Sequence, residues 1–206
     1  MSSPDTLKVL IAEDVDLIGE AFEALLGTEP SFEVVGRVRR GDEVVDAVAR
    51  LSPDVALLDV DMPGLTGIEA ARLVTDRFPT CKVILLTALP GTGHLHLGLA
   101  AGASGYLVKA TTGARLIEGI RTVADGGTVI DPQLAADALR NGPNPLSERE
   151  VEILRLVDKG MSTDLIATHL FLSRGTVRNY LSNAMAKLTT TSRVDAVRSA
   201  RRNGWL

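Results

Sequence analysis

Four short apolar runs, Val9 to Ala12, Val55 to Leu58, Val83 to Leu86 and Tyr106 to Val108, recur along the first half of the chain, separated by longer stretches that can form helices. Each run is too short for a buried helix. Each is also apolar throughout rather than alternating, as a strand covered on both faces requires. Strand and helix in alternation give a parallel sheet with crossover helices. Phe32 to Val38 supplies a weaker strand between the first two runs. The expectation is therefore an α/β fold, with five parallel strands and five helices doubly wound up to about Gly126.

The pattern changes after residue 130. Pro132 to Arg140 reads as a short helix, and Asn141-Gly142-Pro143-Asn144-Pro145 is punctuated too heavily for regular structure. From Leu146 onward only helix signals remain. Ser147 and Glu150 stand at capping-box spacing before Val151, Leu154 and Val157, and Gly160 is the expected stop. Thr163 is read as the cap of a second helix burying Ile166, Ala167 and Leu170. Ser173 caps a third, burying Val177, Leu181, Ala184 and Leu188, and Ser192 a fourth running to about Asn203. The chain thus divides into a domain over 1–130, a linker over 131–145 and an all-α four-helix domain over 146–206.

Glu13-Asp14, Asp59, Thr87 and Lys109 each follow the end of an expected strand. In an open parallel sheet, ligands bind just beyond those carboxyl ends. One polar residue after a strand means little, but four coincident ends define a site. Three carboxylates close together repel one another and suit a hard divalent cation, while a lysine adds positive charge and a threonine a hydroxyl. Such a set serves phosphoryl transfer, with Asp59 as a nucleophile able to hold an acyl phosphate.

Across about residues 7 to 126, the strings Ala12-Glu13-Asp14, Leu57-Leu58-Asp59-Val60-Asp61-Met62-Pro63-Gly64, Leu86-Thr87-Ala88 and Gly105-Tyr106-Leu107-Val108-Lys109 resemble the receiver domain of two-component response regulators. The resemblance implies phosphorylation of Asp59 by a sensor histidine kinase. It implies Mg2+ bound by Asp14, Asp59 and the carbonyl of Asp61, with Glu13 assisting through water, and Lys109 paired with the phosphoryl group. It further implies a switch in which Thr87 moves to the phosphoryl group and Tyr106 turns inward. Ala110 departs from the proline common in receivers and leaves the following loop open. The Asp59-Val60-Asp61 string also fits the Asp-x-Asp motif of haloacid-dehalogenase-like phosphatases. That family places a further acidic pair after its lysine, whereas here Glu13-Asp14 lies at the other end of the sequence.

On a helical wheel Val177, Leu181, Ala184 and Leu188 share one face, and Arg178, Asn179, Ser182 and Asn183 lie on the other. Arginine can contact guanine bidentately and asparagine adenine. Aromatic residues make up only 3% of the chain, which leaves little for the stacking platforms of single-strand and RNA binders and favours duplex DNA. Leu146-Ser147-Glu148-Arg149-Glu150 through Gly160, then Ile166-Ala167, then Ser173-Arg174-Gly175-Thr176-Val177-Arg178-Asn179-Tyr180 resemble the LuxR/NarL-type helix-turn-helix domain. That resemblance implies Arg178, Asn179 and Ser182 at base-facing positions and Thr163, Thr176 and Lys187 at phosphates. Ser182 replaces a lysine common in relatives. The Gly-Thr-Val-Arg-Asn-Tyr string and the Asn203-Gly204-Trp205 ending are similar to the DesR group of membrane-fluidity regulators.

Charge divides as the domains do, with 12 basic against 20 acidic residues up to Pro145 and 10 against 6 after it. An acidic domain carrying a smaller basic one suits a polyanionic partner. The single cysteine, Cys81, excludes an internal disulfide framework and a cysteine zinc cluster, and reads as packing. His94 and His96, two apart within the glycine-rich Gly91 to Gly98, have no cysteine or carboxylate beside them and read as surface residues. Met1 to Lys8 lack the apolar core of a signal peptide, and no run approaches the roughly 18 apolar residues of a membrane span. The expectation is a cytoplasmic transcription regulator, not an enzyme apart from handling its own phosphoryl group, with no membrane insertion. Its expected partners are a histidine kinase, a double-stranded DNA operator, RNA polymerase and, on phosphorylation, a second copy of itself. The alternatives are a DNA-binding regulator that works without phosphorylation and, in the enzyme class, the phosphatase.

Overall fold

The computed structural model describes residues 6–88, 92–141 and 144–206. It falls into two compact units, one of Met1–Ala88 and Leu95–Ala135 and a second whose main body is Ala136–Leu206.

The first unit is a parallel sheet wrapped by helices. Its strands are β1 (Leu7–Ala12), β2 (Phe32–Val38), β3 (Val55–Asp59), β4 (Lys82–Thr87), β5 (Gly105–Val108) and β6 (Val129–Ile130), in the order β2-β1-β3-β4-β5-β6. The helices are α1 (Asp16–Gly27), α2 (Val44–Leu51), α3 (Gly67–Arg77), α4 (Thr92–Ala100) and α5 (Gly113–Ala124), with a 3-10 turn at Gly41–Glu43, and α6 (Pro132–Asn141) spans the division between the two units. The five expected strands are present. A sixth, two residues long, pairs with β5 through Gly105 and Tyr106, and is too short to leave a periodic signal in sequence.

Burial explains why these runs are strands. All five residues of β3 are buried, so no face of it tolerates a polar alternation. Val9, Ile11, Leu57, Ile84, Leu86 and Leu107 pack on one face with Leu26 of α1 and Leu116, Ile120 and Val123 of α5. The alternate set, Leu10, Ala56, Leu58 and Leu85, is equally buried and points to the face where α2 and α3 lie. Strand order reverses between β1 and β3, so the crevice of a doubly wound sheet opens at their carboxyl ends. Glu13 and Asp14 directly follow β1, and Asp59 ends β3.

The second unit contains α7 (Glu148–Asp158), α8 (Thr163–His169), α9 (Arg174–Lys187) and α10 (Arg193–Arg202). Ile153, Leu154, Ile166, Val177, Ala184, Ala196, Ala200 and Trp205 form its core. Serines start every one of these four helices. Ser147 closes a full capping box with Glu150, and Ser173 and Ser192 accept from Thr176 N and Asp195 N as expected. Thr163 is not a cap: Ser162 accepts from Leu165 N and Thr163 is the first helical residue. The helix starts one position earlier than expected, a shift within the usual uncertainty of a helix end. Gly160 follows α7 at φ +80, the left-handed conformation that ends a helix cheaply only with glycine. Asn141 ends α6; Gly142 and Pro143 of the expected linker and Gly91 of the glycine-rich segment lie outside the described residues.

Candidate functional site

The sheet brings Glu13, Asp14 and Asp59 together, each offering a carboxylate oxygen within 4.8 Å of the others. Lys109, just past β5, reaches into this group. Its Nζ lies 2.9 Å from Glu13 Oε1, 2.7 Å from Glu13 Oε2 and 3.0 Å from Asp59 Oδ2. Glu13 Oε1 also accepts from Val15 N at 3.2 Å, which fixes the carboxylate against the start of α1.

The loops hold these groups in place. Val60 N donates to the carbonyl of Leu86, and Gly67 N to that of Val60, both at 2.9 Å. The start of α3 approaches so closely that a Cβ at Gly67 would lie 2.0 Å from the carbonyl oxygen of Asp59. Gly67 is a site residue that the sequence motifs do not single out; its signal was a glycine directly after Thr66, which caps α3 through a capping box with Glu69. Lys109 N donates to Thr87 O at 2.7 Å, which ties the ends of β4 and β5. Despite Ala110, the chain beyond turns tightly, with Thr111 N on Val108 O at 2.9 Å.

Electrostatics distinguishes this site from an ordinary ion-pair network. Asp59 is 3% exposed. Burial pushes its carboxyl up to about 6; Lys109 opposes the rise, Glu13 adds to it, and a hydrogen bond from the Asp61 backbone lowers it. Burial also disfavours a charged Lys109, but Glu13 and Asp59 outweigh it and hold the ammonium above its ordinary range. Three carboxylates against one ammonium leave an excess of negative charge at hard oxygen donors. That donor set fits a divalent cation such as Mg2+. Among the described residues it is the one group of three potential metal ligands, and His94 and His96 are not part of it.

Thr87 and Tyr106 are fully buried beside each other. The Tyr106 hydroxyl makes no hydrogen bond of good geometry, although Thr87 lies near enough to offset part of its burial. Burial, opposed by Thr87, drives its pKa well above the usual phenol range. Asp61 is exposed. Cys81 is buried, and its thiol is pushed up to about 12 by burial, so it is a packing group. An open groove of about 650 Å³ is lined by Val38, Arg40, Asp42, Glu43, Asp46 and Arg50, and none of the three carboxylates lines it. Arg40 there is spent on Asp42, at 2.9 and 2.8 Å.

In the second unit Arg178, Asn179 and Ser182 are exposed on α9, opposite the buried Val177, Leu181 and Ala184. Thr163 is half-buried at the start of α8. The Thr176 hydroxyl lies 2.8 Å from that of Ser173, and Lys187 Nζ 2.7 Å from Glu150 Oε2. The sequence alone gives no partner for Lys187. Nor does it single out Phe171, which sits in the turn between α8 and α9 at φ +54 and is 95% exposed.

Two family models match the chain: the response regulator receiver domain over residues 9–121, and the luxR family of bacterial regulatory proteins over residues 144–200. The transcriptional regulatory protein DesR of Bacillus subtilis (strain 168) is 39% identical over 199 residues, covering 97% of this chain and 98% of DesR. LiaR of the same organism is 31% identical over 206 residues, covering 96% of this chain and 98% of LiaR. The solved structure of the response regulator RcsB–DNA complex shares the fold, with a TM-score of 0.68 at 23% identity over 96% of this chain and 98% of that one. The chain accordingly belongs to the two-component response regulators that join a receiver domain to a LuxR-type DNA-binding domain.

Proposed function

We propose that this protein is a transcription regulator switched by phosphorylation of Asp59, with residues 1–130 as the receiver, 131–145 as the linker and 146–206 as the DNA-binding domain. The observation that carries this reading is a buried Asp59 with Lys109 at 3.0 Å and Glu13 and Asp14 beside it. An Asp59 carboxylate oxygen attacks the phosphorus of a phosphohistidine on a partner kinase. The P–O bond forms as the P–N bond breaks, and the imidazole leaves with the electron pair. Lys109 is held where its ammonium can meet the incoming phosphoryl oxygens. Asp14, Asp59 and the carbonyl of Asp61 would hold Mg2+, with Glu13 acting through water; the ion supplies positive charge against the phosphoryl oxygens. The same residues, with water as nucleophile, return the carboxylate, so Asp59, Lys109 and Thr87 handle the group without making the protein a turnover enzyme for outside substrates.

Thr87 and Tyr106 carry the switch: the hydroxyl of Thr87 moves to the phosphoryl group, and Tyr106, already fully buried before phosphorylation, holds the inward position that the resemblance assigned to the switched state. Phosphorylation favours a homodimer, and two basic units then engage one operator at high effective concentration. Arg178, Asn179 and Ser182 read bases in the major groove while Thr163 and Thr176 approach phosphates. The work belongs in the cytoplasm, where the kinase, the chromosome and RNA polymerase are met. Among the described residues no helix is long and apolar enough to cross a membrane.

Radiolabelled acetyl phosphate with Mg2+ tests the reading. Wild-type protein incorporates label, sediments as a dimer and gains affinity for duplex DNA, while Asp59→Asn does none of these. Equal labelling of the variant overturns the assignment of Asp59, and a labelled protein that stays monomeric yet binds tightly overturns the dimer.

A further inference from the structure

Two neighbouring residues in the first turn of α7 reach the far ends of the two helices that make the helix-turn-helix. Arg149 Nη2 donates to the carbonyl of Leu170, the residue that closes α8, at 3.3 Å, and its Nη1 is held by Glu152 at 2.5 Å. Glu150, 3% exposed, accepts through Oε2 from Ser147 N and from Lys187 Nζ, both at 2.7 Å. Lys187 is the last residue of α9. Val177, Leu181 and Ala184 of α9 are buried, and beyond Ala184 the partly buried Met185 and Leu188 also pack on the core. The pair with Glu150 adds a polar tie at the carboxyl end of the helix, beyond its last fully buried apolar residue.

We propose that Lys187 is a positioning residue, whose ion pair with Glu150, beside the grip of Arg149 on Leu170, sets the axis of α9 and hence the aim of Arg178, Asn179 and Ser182. It acts in this way rather than as a contact to a DNA phosphate. The inference rests on the DNA-binding reading above. Two physical points support it. A helix that reads base edges must be held within about 0.5 Å and 10–20° of its productive pose, which anchors at both ends provide. Moving Lys187 out to a phosphate would leave a buried carboxylate with only the Ser147 contacts, and an uncompensated buried charge is costly. Burial alone would raise the Glu150 pKa, yet the hydrogen bonds from Lys187 and Ser147 outweigh it and hold the carboxyl below its ordinary range.

Glu150→Gln separates the two roles of Lys187. Glutamine keeps the capping bond to Ser147 N, since it serves a capping box as glutamate does, and it removes the ion pair, which frees the lysine. Full-length protein treated with acetyl phosphate is titrated across a salt series onto a duplex that the wild type enriches from a random-sequence pool, and onto a scrambled duplex. The expected result is that Glu150→Gln and Lys187→Met each weaken the enriched duplex on the order of tenfold and narrow its advantage over the scrambled one. The slope of log affinity against log salt should stay at the wild-type value. The double variant should be no weaker than either single one, and Lys187→Arg should bind as wild type. Circular dichroism melts confirm that the variants are folded at the assay temperature, and if one weakened variant is not, the other decides the matter by its own overturning result. The proposal is overturned if Glu150→Gln binds as well as or better than wild type. It is also overturned if Lys187→Met lowers the salt slope by about 0.9, the change from one lost phosphate contact, with its preference intact. A wild type that binds no duplex removes the DNA-binding reading and this inference together, whereas normal wild-type binding with an unaffected Glu150→Gln removes the inference alone.

Discussion

Asp59→Asn in metal-free buffer should make the receiver more stable, although it removes one partner of a buried ion pair. The carboxyl titrates at 3.8 in the unfolded chain and at about 6 in the folded receiver, chiefly because burial disfavours its charge. Between those pH values the folded state binds more protons than the unfolded one, so stability falls as pH rises. The penalty is absent below the unfolded pKa and fully present above the folded one. Roughly two pKa units at about 1.4 kcal/mol each set an upper bound of about 3 kcal/mol at neutral pH. Lys109 is not stranded by the substitution, because it retains both oxygens of Glu13 at 2.9 and 2.7 Å. The net expectation is a gain of about 1–3 kcal/mol, or roughly 4–12 °C in the melting temperature of a domain this size.

Calorimetry of the full chain in EDTA, comparing the receiver transition of the two proteins at about pH 7.5 and about pH 4, measures the gain. It should shrink toward zero at the lower value, where the folded-state penalty on the Asp59 charge has largely gone. Mg2+ then supplies a second arm. Saturation at about 100 times Kd stabilises the wild type by about 2.7 kcal/mol, and the variant, which lacks one ligand, gains less. The difference should narrow or reverse. An Asp59→Asn protein no more stable than wild type at neutral pH without metal, or one whose advantage is the same at both pH values, would refute the argument from burial.

Three further substitutions test the surrounding structure. Gly67→Ala places a methyl group 2.0 Å from the Asp59 carbonyl oxygen; α3 must shift, which should cost about 1–3 kcal/mol in urea unfolding and slow acetyl phosphate labelling. Tyr106→Phe removes a buried hydroxyl that has no partner of good geometry, and should raise the urea midpoint by the equivalent of roughly 1 kcal/mol at unchanged m. Arg178→Ala should lower discrimination between enriched and scrambled duplexes by about 1–3 kcal/mol, read from paired binding curves.

What was legible in the sequence was whatever burial on both faces, or a local cap, writes into consecutive residues. β3 is apolar at four successive positions because it has no solvent face, and Ser147, Ser173 and Ser192 sit where a backbone N–H needs an acceptor. The carboxylate pocket was legible for a related reason, since residues at the carboxyl ends of adjacent parallel strands are neighbours wherever they lie in the chain. β6 was not, because a two-residue edge strand is defined by its pairing to Gly105 and Tyr106 and not by its own composition. The expected cap Thr163 was one residue late, because the hydroxyl that accepts from Leu165 N belongs to Ser162. The family resemblance gave Lys187 as a phosphate contact and could not show Glu150, 37 residues away, at 2.7 Å. Gly67 stayed silent because its constraint is a neighbouring backbone rather than its own turn.

Asp59 and Glu150 show why one buried acid reacts and another only holds a helix. Each is 3% exposed and has a lysine within 3.0 Å. Burial is the largest influence on both, and it raises both. The outcomes are nevertheless opposite: Asp59 rises to about 6, while Glu150 falls below its ordinary range. Two things differ: Asp59 lies deeper among surrounding atoms than Glu150 does, and the lysine is shared differently. Lys187 makes its ion pair with Glu150, which also accepts from the Ser147 backbone. Lys109 divides itself between Asp59 and Glu13, and Glu13 then acts on Asp59 as a like charge. A carboxylate whose donors already outweigh its burial gains less from a further cation, so Glu150 is fitted to a fixed role. One left short of positive charge gains from any cation or electrophile that enters, and Asp59 with Asp14 beside it is in that condition. The excess negative charge of the receiver pocket is therefore a source of its reactivity, and the stability that Asp59 gives up at neutral pH is the measurable sign of it.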